Sequence, residues 1–127
     1  MSVGLVVDTA GLLAYTEASI RVGEIVAVVA DRGEMIVIPS TCLATAYERV
    51  PSPGENLLDL MAGLPHVRVT PLDWDHCAVV GGWARTLGLD TAHAAMEASA
   101  HGVVPLLTGQ RARLGEILPV DWPIIDI

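Results

Sequence analysis

The fold is decided near the amino terminus by LVVD at residues 5–8, which continues directly into TAGLLAY at residues 9–15. The first part has the apolar character of a buried strand, and the second part has that of a helix. A strand that leads straight into a helix places its last residue at the carboxyl end of a sheet, where open α/β folds bind their ligands. Asp8 is therefore the first candidate site residue.

Apolar runs of strand length recur along the chain, with helix-length segments between them. The five runs are Leu5–Val7, Met35–Ile38, Val67–Val69, Val104–Leu107 and Ile124–Ile127. This alternation favours a mostly parallel sheet covered by helices on both faces. A chain of 127 residues suits one domain with one sizeable core. The sequence therefore predicts a single α/β domain over residues 1–127.

The segments between the strands carry helix signals. Apolar residues at positions 22, 25, 26 and 29 lie on one face of a helix. Further helices are predicted after Pro39, over Glu55–Ala62, after Asp73, with Trp74 available for burial, and over Thr91–His101. No internal repeat or linker is visible.

The charge balance limits the partners. Seven arginines and no lysine stand against 15 acidic residues, which gives a net charge of −8. Such a field repels phosphate backbones, so any contact with nucleic acid must be local. Arg111 and Arg113 are the best local cations, although a solvated loop explains them equally simply.

The cysteines and the apolar stretches indicate the compartment. Cys42 and Cys77 form no Cys-x-x-Cys pair, and the amino terminus lacks the features of a secretory signal. The apolar-rich stretch Val22–Ala30 falls far short of the ~20 residues that span a bilayer. We therefore expect a reduced, cytoplasmic setting.

Four segments together resemble the PIN-domain family, in particular the VapC toxins of VapBC toxin–antitoxin pairs. They are VVDTAGLLA at residues 6–14, IPSTCLATAY at 38–47, LDTAHAA at 89–95 and PLLTGQ at 105–110. They follow the family's order and span nearly the whole chain. The resemblance implies a three-layer α/β/α fold with a central parallel sheet of four to five strands. It also implies a ribonuclease whose Mg²⁺ or Mn²⁺ is held by acidic side chains at the carboxyl end of the sheet.

The resemblance fills only two of the family's four acidic positions. Asp8 and Asp90 match, and they are the metal ligands and catalytic residues that it implies. Thr45 stands where the family has Glu, and Gln110 stands where it has Asp. The site is therefore partly degenerate, and weak metal binding is expected because Mg²⁺ gives up its water reluctantly. Glu48, one turn after Thr45, is an alternative ligand.

Each candidate residue also has a structural interpretation. Asp8 and Asp90 are both suited to cap the helices that follow them. His93, one turn after Asp90, fits either a general base or a hydrogen-bonded structural histidine. Thr108 is suited to cap the next turn or to contact phosphate.

A second set of possible ligands precedes the helix after Asp73. Asp73, Asp75 and His76 resemble a metal-binding group, but acids in a first helical turn commonly serve the helix dipole. Other site types lack their motifs, since the chain has no phosphate-binding P-loop and no Gly-x-Gly-x-x-Gly after its first strand. A response-regulator receiver is excluded because Thr70-Pro71-Leu72, with no aspartate, follows the third strand.

Two functions follow from these observations. The first is a metal-dependent endoribonuclease of weak or specialised activity, with RNA as substrate and an antitoxin protein as partner. The second is an inactive PIN-like module that acts by protein binding or oligomerisation. Val28 lies off the apolar face of its predicted helix, so we expect this helix to contribute to a homodimer or an antitoxin-binding surface.

Overall fold

The computed structural model describes residues 2–127. Its strands are β1 (Val3–Val7), β2 (Met35–Pro39), β3 (Val67–Thr70), β4 (Leu106–Thr108) and β5 (Ile124–Asp126). The helices are α1 (Thr9–Thr16), α2 (Ile20–Asp31), α3 (Ser40–Arg49), α4 (Glu55–Ala62), α5 (Cys77–Leu87), α6 (Leu89–Ala100) and α7 (Arg111–Leu114). A short 3₁₀ turn precedes α5. All five predicted strands are confirmed, although β4 begins two residues later than its apolar run.

The strands form one parallel sheet in the order β3-β2-β1-β4-β5. The central strand β1 pairs with β2 through Val6 and Val37, and with β4 through Val6 and Leu106. These three side chains are fully buried, as expected for a sheet that is covered on both faces. The predicted α/β class and parallel sheet are confirmed.

The strand order creates a crevice beside β1. The chain leaves β1 towards β2 on one side, while β4 lies on the other side. Connections that diverge in this way open a gap at the carboxyl ends of the two central strands, and ligands of open α/β sheets bind in such gaps. Asp8 follows β1 and Gly109 follows β4, so the fold brings both segments to this crevice.

The helix boundaries show which capping predictions hold. Asp8 is the N-cap of α1, and its side chain accepts a hydrogen bond from Gly11 N. Asp90 is not a cap, because α6 begins after Gly88, whose φ of +81° suits glycine. Val22, Val26 and Val29 of α2 are buried as predicted.

The helix α5 departs from the prediction at its start. Trp74 was expected to be available for burial, but it is 88% exposed in the 3₁₀ turn before α5. The helix itself buries Val80 and Leu87. Gly81 and Gly82 face open space rather than a close neighbour, which favours the interpretation of this pair as a weak point in the helix.

The helix α6 forms the centre of the core on its side of the sheet. Every residue from Thr91 to Ala98 is buried, and the helix packs against β1, β2, α3 and α5. Small alanines allow this close approach, and the surrounding leucine and isoleucine side chains each contribute about 1.5–3 kcal/mol by burial. In residues 2–127, no helix has the length and apolar character needed to cross a bilayer.

Candidate functional site

Asp8 is anchored at the carboxyl end of β1. Its side chain is buried, and both carboxylate oxygens accept hydrogen bonds. Gly11 N donates to Oδ1 at 3.1 Å, and the Thr108 hydroxyl donates to Oδ2 at 2.5 Å. The structure therefore combines the two interpretations of Asp8, because the residue that caps α1 also lies in the crevice.

Asp90 lies in the first turn of α6 and faces the same crevice. Its Oδ2 accepts a hydrogen bond of 2.5 Å from the hydroxyl of Thr9, the residue that follows Asp8. The predicted convergence of Asp8 and Asp90 is therefore present in the geometry, with Thr9 between them.

Burial dominates the electrostatics of Asp8. Loss of solvent raises the pKa of Asp8 above its ordinary value of 3.8, and the charge of Asp90 adds to this rise. Hydrogen bonds from Thr108, Gly11 and Gly109 act in the opposite direction without cancelling it. A cation between the two carboxylates would favour the ionised form, since opposite charge lowers the pKa of an acid.

Cys42 extends the site towards α3. Its buried thiol donates a hydrogen bond of 3.1 Å to the carbonyl oxygen of Asp90. Burial raises the pKa of Cys42 well above its usual value, and the charges of Asp8 and Asp90 raise it further. Cys42 is therefore a protonated, structural thiol beside the two carboxylates.

The two replaced acidic positions contribute little charge. The Thr45 hydroxyl donates to the Thr41 carbonyl of the same helix at 2.7 Å. Gln110 follows β4, and its backbone N–H donates to the Thr108 hydroxyl at 2.9 Å. Glu48 is exposed, about 200° around α3 from the buried Ala46. Nothing in this placement favours Glu48 as a replacement ligand.

The oxygen atoms at the crevice are of the type that binds a hard cation, but they include only two carboxylates. Asp8 and Asp90 offer carboxylate oxygens, and Thr9 and Thr108 offer hydroxyls, which are the donor types that Mg²⁺ and Mn²⁺ prefer. Within residues 2–127, no third His, Cys, Asp or Glu completes a ligand group with Asp8 and Asp90. The residues present therefore fit a weakly held divalent ion.

The other candidate ligand group lies elsewhere. Asp73, Asp75 and His76 bring their ligand atoms within 4.8 Å of one another at the 3₁₀ turn before α5. Both aspartates are exposed. Asp73 is the N-cap residue of the 3₁₀ turn and Asp75 lies within it, so their position at the amino-terminal end of this helical segment accounts for both acids.

The remaining polar residues at and near the site are only partly as the sequence predicted. Thr9 was not singled out, although its position directly after Asp8 is a usable signal. Thr108 serves as a bridge, since it donates to Asp8 and accepts from Gln110. His93 is fully buried and bonded to Thr41, as in the structural interpretation. Arg111 donates to the Ile124 carbonyl at 3.1 Å.

Comparison with known proteins supports the fold through structure. No protein-family model and no curated protein sequence matches the chain. The same fold is found in a chain of the crystal structure of VapBC2 from Rickettsia felis, which was determined with a DNA fragment from the VapBC2 promoter. The TM-score is 0.70 at 13% sequence identity, and the match covers 97% of this chain and 98% of that chain. The chain therefore has a VapC-like PIN fold over nearly its full length.

Proposed function

We propose that this protein is a VapC-like endoribonuclease of weak or specialised activity that depends on Mg²⁺ or Mn²⁺. The observation that carries the proposal is the convergence of Asp8 and Asp90 on the crevice at the carboxyl ends of β1 and β4. The shared fold with a chain of a VapBC complex supports the same assignment.

The roles of the residues follow from their contacts. Asp8 and Asp90 would hold the cation, which supplies charge stabilisation and activates water for attack on a phosphodiester. Thr108 and Gly11 fix the orientation of the Asp8 carboxylate, and Thr9 fixes that of Asp90. Held in this way, the two carboxylates keep their separation before any ligand arrives, which reduces the cost of organising the site.

Metal titration combined with RNA cleavage tests this function. Mn²⁺ binding is measured by calorimetry, and cleavage is measured on a mixed RNA pool, for the unmodified protein, Asp8→Asn and Asp90→Asn. We expect weak binding and low cleavage that both substitutions abolish. The matched control is Asp73→Asn, which removes a carboxylate from the exposed group at the 3₁₀ turn. Cleavage that survives Asp8→Asn at full rate contradicts the proposed site.

A second candidate function is that of an inactive module that binds a partner protein. Two observations favour it: both carboxylate oxygens of Asp8 already accept hydrogen bonds within the protein, and Thr45 and Gln110 supply no charge. Absence of both metal binding and cleavage, with retained binding to a cognate partner, would establish this function. The first partner to test is the product of the reading frame immediately upstream, if that frame encodes a small antitoxin-like protein.

The surface of α2 is the proposed contact for a second copy or an antitoxin. Ile20 is 78% exposed and Val28 is 46% exposed on this helix. Beside Val28, a groove of about 470 Å³ lies between α2 and the sheet, lined in part by Ile25 and Ile125. Light scattering of the isolated protein and of Val28→Asp measures the homodimer directly. We place this association in the reduced cytoplasm.

A further inference from the structure

After Asp90, towards the carboxyl end of α6, lies a second set of polar side chains that the candidate site does not use. His93 follows Asp90 by about one turn, and Glu97 and His101 follow at four-residue spacing, so all four lie along one side of the helix. His93 is completely buried, and Glu97 is 7% exposed. Buried ionisable groups are costly unless they are paired, so their partners determine what this set does.

The members of the set are joined by two hydrogen bonds and by one close contact that lacks hydrogen-bond geometry. His93 Nδ1 lies 2.8 Å from the Thr41 hydroxyl, and His93 Nε2 lies 3.3 Å from Glu97 Oε1. The other oxygen of Glu97 lies 3.3 Å from His101 Nε2. Glu97 is thus held between two imidazoles, and His93 is held between Glu97 and Thr41.

Glu97 lies against His93, and its charge bears on the orientation of that ring. Burial acts to raise the pKa of Glu97, but the neighbouring His93, Thr70 hydroxyl and His101 lower it below the ordinary value of 4.5. His93 Nε2 lies 3.3 Å from Glu97 Oε1 without hydrogen-bond geometry, and a carboxylate at this distance favours the tautomer that carries its hydrogen on Nε2. In that tautomer Nδ1 is an acceptor, and the Thr41 hydroxyl is its donor.

The contact between Thr41 and His93 joins α3 to α6. Cys42, the next residue of α3, makes a second contact through its thiol to the Asp90 carbonyl. The buried residues of α3 are Cys42 and Ala46, and Thr45 is bonded within its own helix. Packing against α1 and α6 holds α3 in place, and the Thr41–His93 contact adds a polar anchor at its start.

We propose that His93 is a positioning residue which, supported by Glu97, fixes Thr41 and therefore the start of α3 against Asp90. The link joins these two helices directly through side chains. The link itself is independent of the proposed function, whereas its effect on Mn²⁺ affinity rests on that function.

Three substitutions separate the link from its surroundings. Thr41→Val keeps the size of the side chain and removes the donor, and Thr41→Ser restores a hydroxyl. Thr70→Val is the control, because it removes a hydroxyl near Glu97 and leaves the Thr41–His93 hydrogen bond itself in place. Long-range ¹H–¹⁵N spectra report the tautomer of His93, and amide hydrogen exchange reports the anchoring of α3.

We expect an Nε2–H tautomer of His93 in the unmodified protein. In Thr41→Val, the Nδ1 resonance should shift, and amides 44–46 of α3 should exchange roughly three- to tenfold faster, as for loss of one buried hydrogen bond. Thr41→Ser and Thr70→Val should leave this exchange unchanged. If Thr41→Val does not fold, Glu97→Gln tests the same link through His93, and the same acceleration is expected.

The outcomes distinguish this inference from the proposed function. An Nδ1–H tautomer, or unchanged exchange of α3 in Thr41→Val, overturns the inference. If the site binds Mn²⁺, Thr41→Val should weaken that binding severalfold, while Thr70→Val should not. If the unmodified protein does not bind Mn²⁺, the proposed function fails, and the exchange data still decide the role of His93.

Discussion

The Thr108 hydroxyl donates a hydrogen bond of 2.5 Å to Asp8 Oδ2, although 100 residues separate the two in sequence. The cause is the register of the central strands, in which Val7 of β1 pairs with Leu107 of β4. The residues that follow this pair are Asp8 and Thr108, so they emerge side by side at the carboxyl end of the sheet. The candidate site is therefore held by the pairing of its two central strands.

Removal of this bridge should destabilise the protein. Thr108→Val deletes the donor to Asp8 and the acceptor of Gln110 N–H, and we expect a loss of about 1–3 kcal/mol in the free energy of unfolding at pH 7. Urea denaturation measures this loss. The matched control is Thr16→Val, whose hydroxyl bonds to a carbonyl of its own helix and should cost less than about 0.5 kcal/mol. Equal losses in the two variants would contradict the role of the bridge.

The raised pKa of Asp8 makes a prediction about pH. The folded protein binds the Asp8 proton more tightly than the unfolded chain, in which the pKa of Asp8 is near its ordinary value of 3.8. Between that value and the folded pKa, the folded state therefore carries more protons, and stability rises as pH falls. As the pH falls through this window, the unmodified protein should gain stability relative to Asp8→Asn. Below the window it should show no further gain. Unfolding free energies from pH 7 to pH 3 test this, and a gain with rising pH would contradict it.

Gly11 has no room for a side chain, whereas Gly81 does, so alanine substitutions at the two positions should have opposite effects. A Cβ at Gly11 would lie 2.6 Å from Val7 Cγ1, so Gly11→Ala should destabilise the protein by about 1–3 kcal/mol. Gly81 is also in a helix, but a Cβ there meets nothing within 4 Å. Gly81→Ala should therefore stabilise the protein by about 0.5–1 kcal/mol, through helix propensity. Thermal unfolding of both variants should show shifts of opposite sign.

Local patterns predicted the fold well because most of the strands are short, largely apolar runs, and because Asp8 and the segment from Gly109 to Gln110 each follow one of them directly. Asp8 is found from such a pattern alone, since the strand before it and the helix after it are both adjacent in sequence. The bond from Thr9 to Asp90 was not predictable, because it spans 81 residues and depends on how α6 packs. The expected cap at Asp90 was wrong because Gly88, with its positive φ, begins the helix first.

Exposure was harder to predict than secondary structure. Trp74 is exposed because the chain forms a 3₁₀ turn before α5, which directs the side chain outward. Hydrophobic character alone did not reveal this turn. The polar set at His93 and Glu97 was also only partly visible, since its meaning depends on Thr41 from another helix.

Restoring the two missing acids tests the degeneracy of the site. Thr45→Glu together with Gln110→Asp adds two carboxylates at positions on α3 and after β4, next to the elements that carry Asp90 and Asp8. We expect Mg²⁺ and Mn²⁺ affinity to rise by about tenfold or more, because affinity for hard cations increases with the number of charged oxygen ligands. Without metal, the variant should be less stable than the unmodified protein, since crowded carboxylates repel one another. Added Mn²⁺ should reverse that loss, because a ligand that binds the folded state stabilises it.

Calorimetric titration measures the metal affinity, and unfolding with and without Mn²⁺ measures the stability. Thr45→Gln with Gln110→Asn is the uncharged control. If the acidic variant gains no affinity over this control, positions 45 and 110 do not face the cation, and the site does not follow the pattern that the resemblance implies.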